Sequence, residues 1–221
     1  MCFSLFRKKV NNEILSYEES LLKEYGKSNN FTKHITLLIF SDTHNSLIYD
    51  TSFLENLNTE EIDACLLLGD HSAQDIECIL KFFPKEKVYG LLGNHDTNND
   101  LEFYQIKNIH ASTVEINGVL IAGFQGCVKY KENSKAPLYT QEESLLESEK
   151  FTSADILVSH DTYFTYQSNS PAHDGLKGIT KVLYSLKVPL HIHGHLHEEN
   201  EKILLNGTTS YSIYKYKLFR F

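Results

Sequence analysis

Five times along this chain a short apolar run stops at residues that bind metal ions. Ile35 to Phe40 leads into Asp42-Thr43-His44, and Ala64 to Leu68 leads into Gly69-Asp70-His71. Val88 to Leu92 precedes Gly93-Asn94-His95-Asp96, and Ile156 to Val158 precedes Ser159-His160-Asp161. Pro189 to His193 precedes Gly194-His195-Leu196-His197. Short apolar runs bounded by turn formers read as strands buried on both faces, as in parallel sheets. Helical segments fall between the first runs, around Ser52–Leu57 and from about Asp75 to Phe83, where Pro84 stops the second. This rhythm of strand, polar loop and helix predicts an α/β sheet with its function at the carboxyl ends of the strands.

The middle of the chain changes pattern. Asn117-Gly118, between the alternating residues Val114 to Ile121, predicts a hairpin and a move to antiparallel pairing in a second sheet. Residues 126–137 read as a loop and Gln141 to Lys150 as an exposed acidic helix. A long polar loop from Ser168 through His173-Asp174-Gly175 leads to a helix from Leu176 to Leu186. The tail from Lys202 reads as two strands joined at Asn206-Gly207, with Tyr214, Tyr216 and Leu218 on one face. Residues 1–33 read as an appendage: a helix starting near Asn12 or Ser16 and running to Tyr25, broken by Gly26 to Asn30. Residues 34–221 form the main domain.

Charge and cysteine content narrow the chemistry. The formal net charge of -8 opposes binding to long nucleic acids, and no strong lysine cluster offsets it; Lys129, Lys131 and Lys135 in one loop come nearest. Arginine occurs only at Arg7 and Arg220, so an anion held in the core must be held by lysine, backbone N–H groups or metal ions. Cys2, Cys65, Cys78 and Cys127 form no Cys-x-x-Cys pair, which reads as reduced thiols in a cytoplasmic protein. No stretch has the order of a signal peptide or the length of a membrane span.

The loops offer Asp42, His44, Asp70, Asn94, His95, His160, His195 and His197. Mixed carboxylate, amide and imidazole donors suit Mn, Fe or Zn, with Mg as the alternative. They outnumber the ligands of one tetrahedral site, so two divalent ions sharing a carboxylate such as Asp70 are expected. Water between two such ions becomes a nucleophile near neutral pH.

Asp42-x-His44, Gly69-Asp70, Gly93-Asn94-His95-Asp96, His160 and Gly194-His195-x-His197 resemble, in order, the five motifs of the calcineurin-like metallophosphoesterase superfamily. The resemblance covers residues 35 to about 200. It implies a four-layer α/β/β/α sandwich of two mixed sheets flanked by helices. It implies one metal on Asp42, His44, Asp70 and His197, and a second on Asp70, Asn94, His160 and His195. His95 would stand at the leaving-group oxygen as general acid or transition-state donor. Many relatives orient that histidine with an acid three residues after the bridging aspartate. Ala73 stands there instead, which leaves Asp75 and Asp161 as candidates. The phosphate-clamping arginines of the protein serine/threonine phosphatases are also missing, which favours the small phosphodiesterase-like branch.

The expected function is therefore hydrolysis of a phosphodiester in a small nucleotide-like substrate. A phosphomonoesterase, a nuclease and a non-catalytic scaffold of the same fold are the alternatives. Asn94, His95 and His173, the last in the long loop after His160, are the expected substrate contacts. His34, His71, His110, His191 and His193 have no motif support, and Asp96 reads either as a partner of the ligand loops or as a helix cap.

Overall fold

The computed structural model of the protein describes residues 2–97, 100–165 and 171–221. Its first sheet takes the order β13-β1-β2-β3-β4. The strands are β1 (Thr36–Ser41), β2 (Ala64–Leu67), β3 (Val88–Gly90), β4 (Lys107–Asn108) and β13 (Lys215–Arg220). The first four are parallel and β13 is antiparallel to β1. The second sheet takes the order β11-β12-β10-β9-β6-β5, from β5 (Thr113–Ile116), β6 (Val119–Phe124), β9 (Ile156–Ser159), β10 (Leu190–His193), β11 (Asn200–Ile203) and β12 (Thr209–Ser212). Its inner strands β6, β9, β10 and β12 run parallel, and its edges β5 and β11 pair antiparallel.

Side chains alternate across each strand, so an unbroken apolar run feeds two cores at once. On β1, Leu37 and Ile39 enter the core between the sheets, where they meet Ile121, Val158 and Ile192 of the second sheet. Leu38 and Phe40 point the other way, to α2 (Ser52–Glu55), α3 (Ala73–Leu80) and α4 (Asp100–Phe103), packing with Leu54, Ile76 and Leu101. The outer face of the second sheet is covered by α1 (Cys2–Tyr25) and α6 (Lys177–Ser185), through Leu21, Ile179, Val182 and Leu183. The helix α5 (Gln141–Ser148) lies against α6, where Gly178 N donates to Ser144 Oγ at 3.0 Å. The result is the four-layer α/β/β/α sandwich.

Asn117 and Gly118 turn the β5–β6 hairpin with φ of 49° and 78°, the left-handed pair that such a tight turn requires. Several expectations need correction. The first helix begins at Cys2, well before Asn12; its Tyr17 Oη donates to the Lys177 carbonyl at 3.1 Å. The acidic helix is exposed on one side only, because Ser144 and Ser148 are buried against α6. The tail holds three strands rather than two. β11 and β12 extend the second sheet, and β13 then crosses to the first. Tyr214 precedes β13 and parts from Tyr216 and Leu218, which pack on the helix side. Residues 168–170 of the expected long loop lie outside the described residues.

Candidate metal centre

Because the inner strands are parallel, their carboxyl ends gather at one edge of the sandwich. Asp42 and His44 follow β1, Asp70 follows β2, and Asn94 and His95 follow β3. From the second sheet, His160 follows β9, and His195 and His197 follow β10. The loops turn too sharply for ordinary backbone. Asp42, His44, Asp70, His195 and His197 all have φ between 43° and 68°, a region that non-glycine residues rarely occupy. Such strain, spread over five candidate ligands, marks a place where the surrounding structure holds side chains in imposed positions. Gly93 and Gly194 are glycines for another reason. A Cβ at Gly93 would strike the Asp70 carboxylate, and one at Gly194 would strike Ser41 Oγ and the Asp42 carboxylate.

Two buried carboxylates tie the loops together. Asp75 accepts from Thr43 Oγ1 at 2.7 Å, Asn45 N at 2.6 Å and Leu47 N at 2.9 Å, and it completes the capping box of α3 with Ser72. Asp96 accepts from Asp70 N and Gly93 N, both at 2.7 Å, and from His71 N at 3.3 Å. It thus joins the second and third loops and caps no helix. Burial and the nearby Asp70 push its carboxyl up to about 6.

The donor atoms lie in two adjoining groups, linked by the carboxylates of Asp70 and Asp42. In the first, His197 Nε2 lies 3.3 Å from Asp42 Oδ1 and 3.3 Å from His44 Nε2. His44 Nε2 in turn lies 3.9 Å from Asp70 Oδ2. In the second, His160 Nε2 lies 3.7 Å from the same Asp70 oxygen and 2.9 Å from Asn94 Oδ1. Ligands bound about 2.1 Å from a shared ion stand about 3.0–3.4 Å apart; the two His197 spacings fall in that range, whereas His44 at 3.9 Å and His160 at 3.7 Å stand wider from Asp70 Oδ2. His195 joins Asp42 and His160, all three donor atoms lying within 4.8 Å of one another.

Partners outside the cluster select the free nitrogens. His160 Nδ1 meets the Leu68 carbonyl at 2.8 Å, which commits that nitrogen as donor and leaves Nε2 for a metal. His195 Nε2 meets the Ala172 carbonyl at 3.0 Å, which leaves Nδ1. Two acceptors, His160 Nε2 and Asn94 Oδ1, then face each other across 2.9 Å, and only a proton or a cation reconciles them. Asp42 Oδ1 is buried without a hydrogen bond. Burial alone would raise the Asp42 carboxyl, but the contacts with His197, His160, Ser41 and the His195 N–H outweigh it and hold it below the ordinary carboxylate range. Burial likewise depresses His160, yet Asp70, Asp42 and Asp96 raise it on balance. His195, by contrast, is held at about 3 by burial and by His160. A buried set of carboxylates and lone pairs of this kind fits divalent cations.

The calcineurin-like phosphoesterase family model matches residues 35–199, a span that contains every candidate ligand. The chain belongs to this family. No curated protein matches the sequence. Among solved structures, the calcineurin-like phosphoesterase fold seen here resembles that of TT1561 of Thermus thermophilus, with 14% identity, TM-score 0.56, and 86% of this chain and 99% of that chain covered. It also resembles the phosphopantetheinyl hydrolase PptH of Mycobacterium tuberculosis, with 13% identity, TM-score 0.54, and coverage of 82% and 90%. A 5'-nucleotidase from Candida albicans aligns at 13% identity and TM-score 0.50, over 86% of this chain and 47% of its own.

A cavity of about 380 Å³ opens over the cluster, walled by Asp70, Asn94, His95, Tyr130, His173, His195 and His197. His95 donates its backbone N–H to Asp70 Oδ1 at 2.8 Å, and its ring meets that of His44 edge-on at 5.5 Å. Neither expected carboxylate orients it: Asp75 serves the first loop and α3, while Asp161 accepts from Val128 N and Thr162 N. His173 reaches the cavity wall, its ring 4.8 Å from that of His195. The unsupported histidines do other work. His191 is locked between Ser159 and Ser210, His193 contacts Thr162, His110 meets Glu147 and Tyr139, His71 contacts Thr43, and His34 lies on the surface.

Sequence reasoning missed two residues here. Tyr130 Oη accepts from Asn94 Nδ2 at 3.2 Å, which turns the amide oxygen toward His160. Tyr214 stacks on His197 at 5.0 Å. Neither falls in a motif. An exposed tyrosine in a loop gives no signal until the loop is placed.

Proposed function

We propose that this protein is a dinuclear-metal-dependent phosphodiesterase acting on a small nucleotide-like substrate. The observation that carries this reading is Asp70 Oδ2, which faces His44 on one side and His160 on the other, as a bridging carboxylate must. Asp42, His44, Asp70 and His197 would hold one ion, and Asp70, Asn94, His160 and His195 the other, with Mn, Fe or Zn the best match to the donors. Bound there, two such ions supply Lewis-acid stabilisation of phosphoryl oxygens and an acidified water. The protein orients the rest. His95 lines the cavity beside Asn94 and donates a hydrogen bond to the departing oxygen. His173, across the same cavity, contacts the substrate. Asp96 and Asp75 keep the ligand loops from spreading. Residues 34–221 would form the catalytic unit. The free thiols Cys65, Cys78 and Cys127 suit a cytoplasmic protein, and no helix among the described residues is long and apolar enough to cross a membrane.

The test is hydrolysis of bis-p-nitrophenyl phosphate and p-nitrophenyl phosphate by metal-stripped protein with Mn, Fe, Zn or Mg restored. Turnover of the diester that needs metal and is lost in Asn94→Ala supports the proposal. Turnover of the monoester alone reassigns the protein as a phosphatase. Bound metal without turnover of either ester removes the catalytic reading.

A further inference from the structure

We propose that the substrate's leaving group carries a second phosphoryl group, held by Lys131 and Lys135. This rests on the phosphoesterase reading above and specifies its substrate. A second cavity, of about 360 Å³, adjoins the metal cavity and shares Asn94 and His95 with it. Its far wall is the loop carrying Lys131, Asn133, Ser134 and Lys135. Among the described residues the metal cavity has no lysine or arginine on its own wall, and the adjoining cavity supplies two lysines.

The charges at this wall are available. Among the described residues, neither Lys131 nor Lys135 pairs with a carboxylate, and Lys131 Nζ rests 5.1 Å from the centre of the Tyr130 ring. Glu132 lines the same cavity, but its carboxylate is engaged by Lys129 at 2.9 Å. Asp96 also borders it, with both oxygens occupied by backbone N–H groups. Two lysines without counter-charges, in a chain of net charge -8, suit a dianion better than a single carboxylate. Asn133 and Ser134 add uncharged donors.

The loop is also built to stay in place. Its stem is a parallel pair of β7 (Cys127–Val128) and β8 (Leu138–Tyr139). Gly126 N donates to the Leu92 carbonyl at 2.7 Å, and Val128 N donates to Asp161 at 3.1 Å. Tyr130 then touches the candidate ligand Asn94. The lysines therefore stand on a short excursion fixed at both ends, in the cavity that shares His95, the residue proposed above to meet the leaving oxygen. In the proposed reaction, water oxygen would bond to the phosphorus of the scissile ester, and the bond from that phosphorus to the leaving oxygen would break. One water proton passes to the leaving oxygen, and the other stays on the new P–OH. The second phosphoryl group remains intact on the departing fragment.

Calorimetry of Mn-loaded protein with methylenebisphosphonate and with methylphosphonate tests this directly. The double variant Lys131→Ala, Lys135→Ala should weaken bisphosphonate binding about tenfold or more, as loss of two charge-assisted contacts requires, and methylphosphonate far less. The Lys131→Arg, Lys135→Arg protein should recover the preference. Equal weakening of both ligands, or no weakening of the bisphosphonate, overturns the assignment. Hydrolysis of bis-p-nitrophenyl phosphate by the wild-type protein, measured alongside, judges the phosphoesterase reading separately. If that hydrolysis is present while the bisphosphonate preference is absent, only the second subsite is lost.

Discussion

Replacing Asp75 with Asn separates two roles for this carboxylate. As the orienter of His95 it would matter for turnover only. As the tie between the first ligand loop and α3 it matters for stability and metal binding. In the structure Asp75 Oδ2 takes Thr43 Oγ1 and Asn45 N, and Oδ1 takes Leu47 N, with all three distances between 2.6 and 2.9 Å. An asparagine keeps its carbonyl oxygen on the first pair and turns its NH2 toward the Leu47 N–H, donor against donor. Hydrogen bonds to a charged acceptor are worth about 1.5–3 kcal/mol and neutral ones about 0.5–1.5, so two weakened bonds cost about 2 kcal/mol. An orphaned buried N–H adds about 1–3 kcal/mol. The sum is about 3–5 kcal/mol, or on the order of 10 °C in melting temperature for a domain of this size. Urea unfolding of metal-stripped protein at pH 7.5 measures it. The variant should also bind Mn more weakly, because Asp42 and His44 sit on the loosened loop. Stability within about 0.5 kcal/mol of wild type, together with a fall in kcat at unchanged metal affinity, would refute the tie and return Asp75 to His95.

Further outcomes follow from the same geometry. Tyr130→Phe removes the acceptor that sets the Asn94 amide, so Mn affinity measured by calorimetry should fall by about tenfold, the lower range for such partners. Gly194→Ala should abolish binding of at least one ion while leaving far-ultraviolet circular dichroism unchanged, because the new methyl meets Asp42 and Ser41. Metal-stripped protein should lose stability as pH falls below about 6.5, where the unfolded chain takes up protons that its buried histidines refuse. Burial holds His71 and His193 down to about 4 in the folded protein and likewise depresses His191 well below the ordinary imidazole range. With the folded values below the unfolded one, each histidine's contribution is complete above about 6.5 and shrinks toward the folded value. Each costs about 1.4 kcal/mol per pH unit in that window. His191→Gln should flatten the slope in urea titrations between pH 6.5 and 4.5, and an unchanged slope would contradict the assignment.

The sequence alone determined which donor side chains stand at the strand ends and the order of most strands along the chain. A short unbroken run such as Leu37 to Phe40, bounded by polar residues, reads as a strand with both faces covered, and a residue such as Asp42 just past its end leaves the sheet. These are local consequences of period-two geometry, so they are readable from neighbours in the chain. Asn117-Gly118 is legible for the same reason, since its turn needs only its own two residues. The long-range assignments were not legible. Asp75 and Asp161 each lie near a motif, and proximity along the chain suggested His95, but the backbone N–H groups that claim them come from other loops. Tyr130 and Asn94 are 36 positions apart, and only the β7–β8 stem brings them together. The crossing of β13 to the first sheet was equally hidden, because an edge strand with one apolar face suits either sheet until one edge is left open. Sequence fixes which atoms are available at a strand end. Tertiary structure decides which of them share an ion, because that choice depends on distances between loops that no local preference encodes.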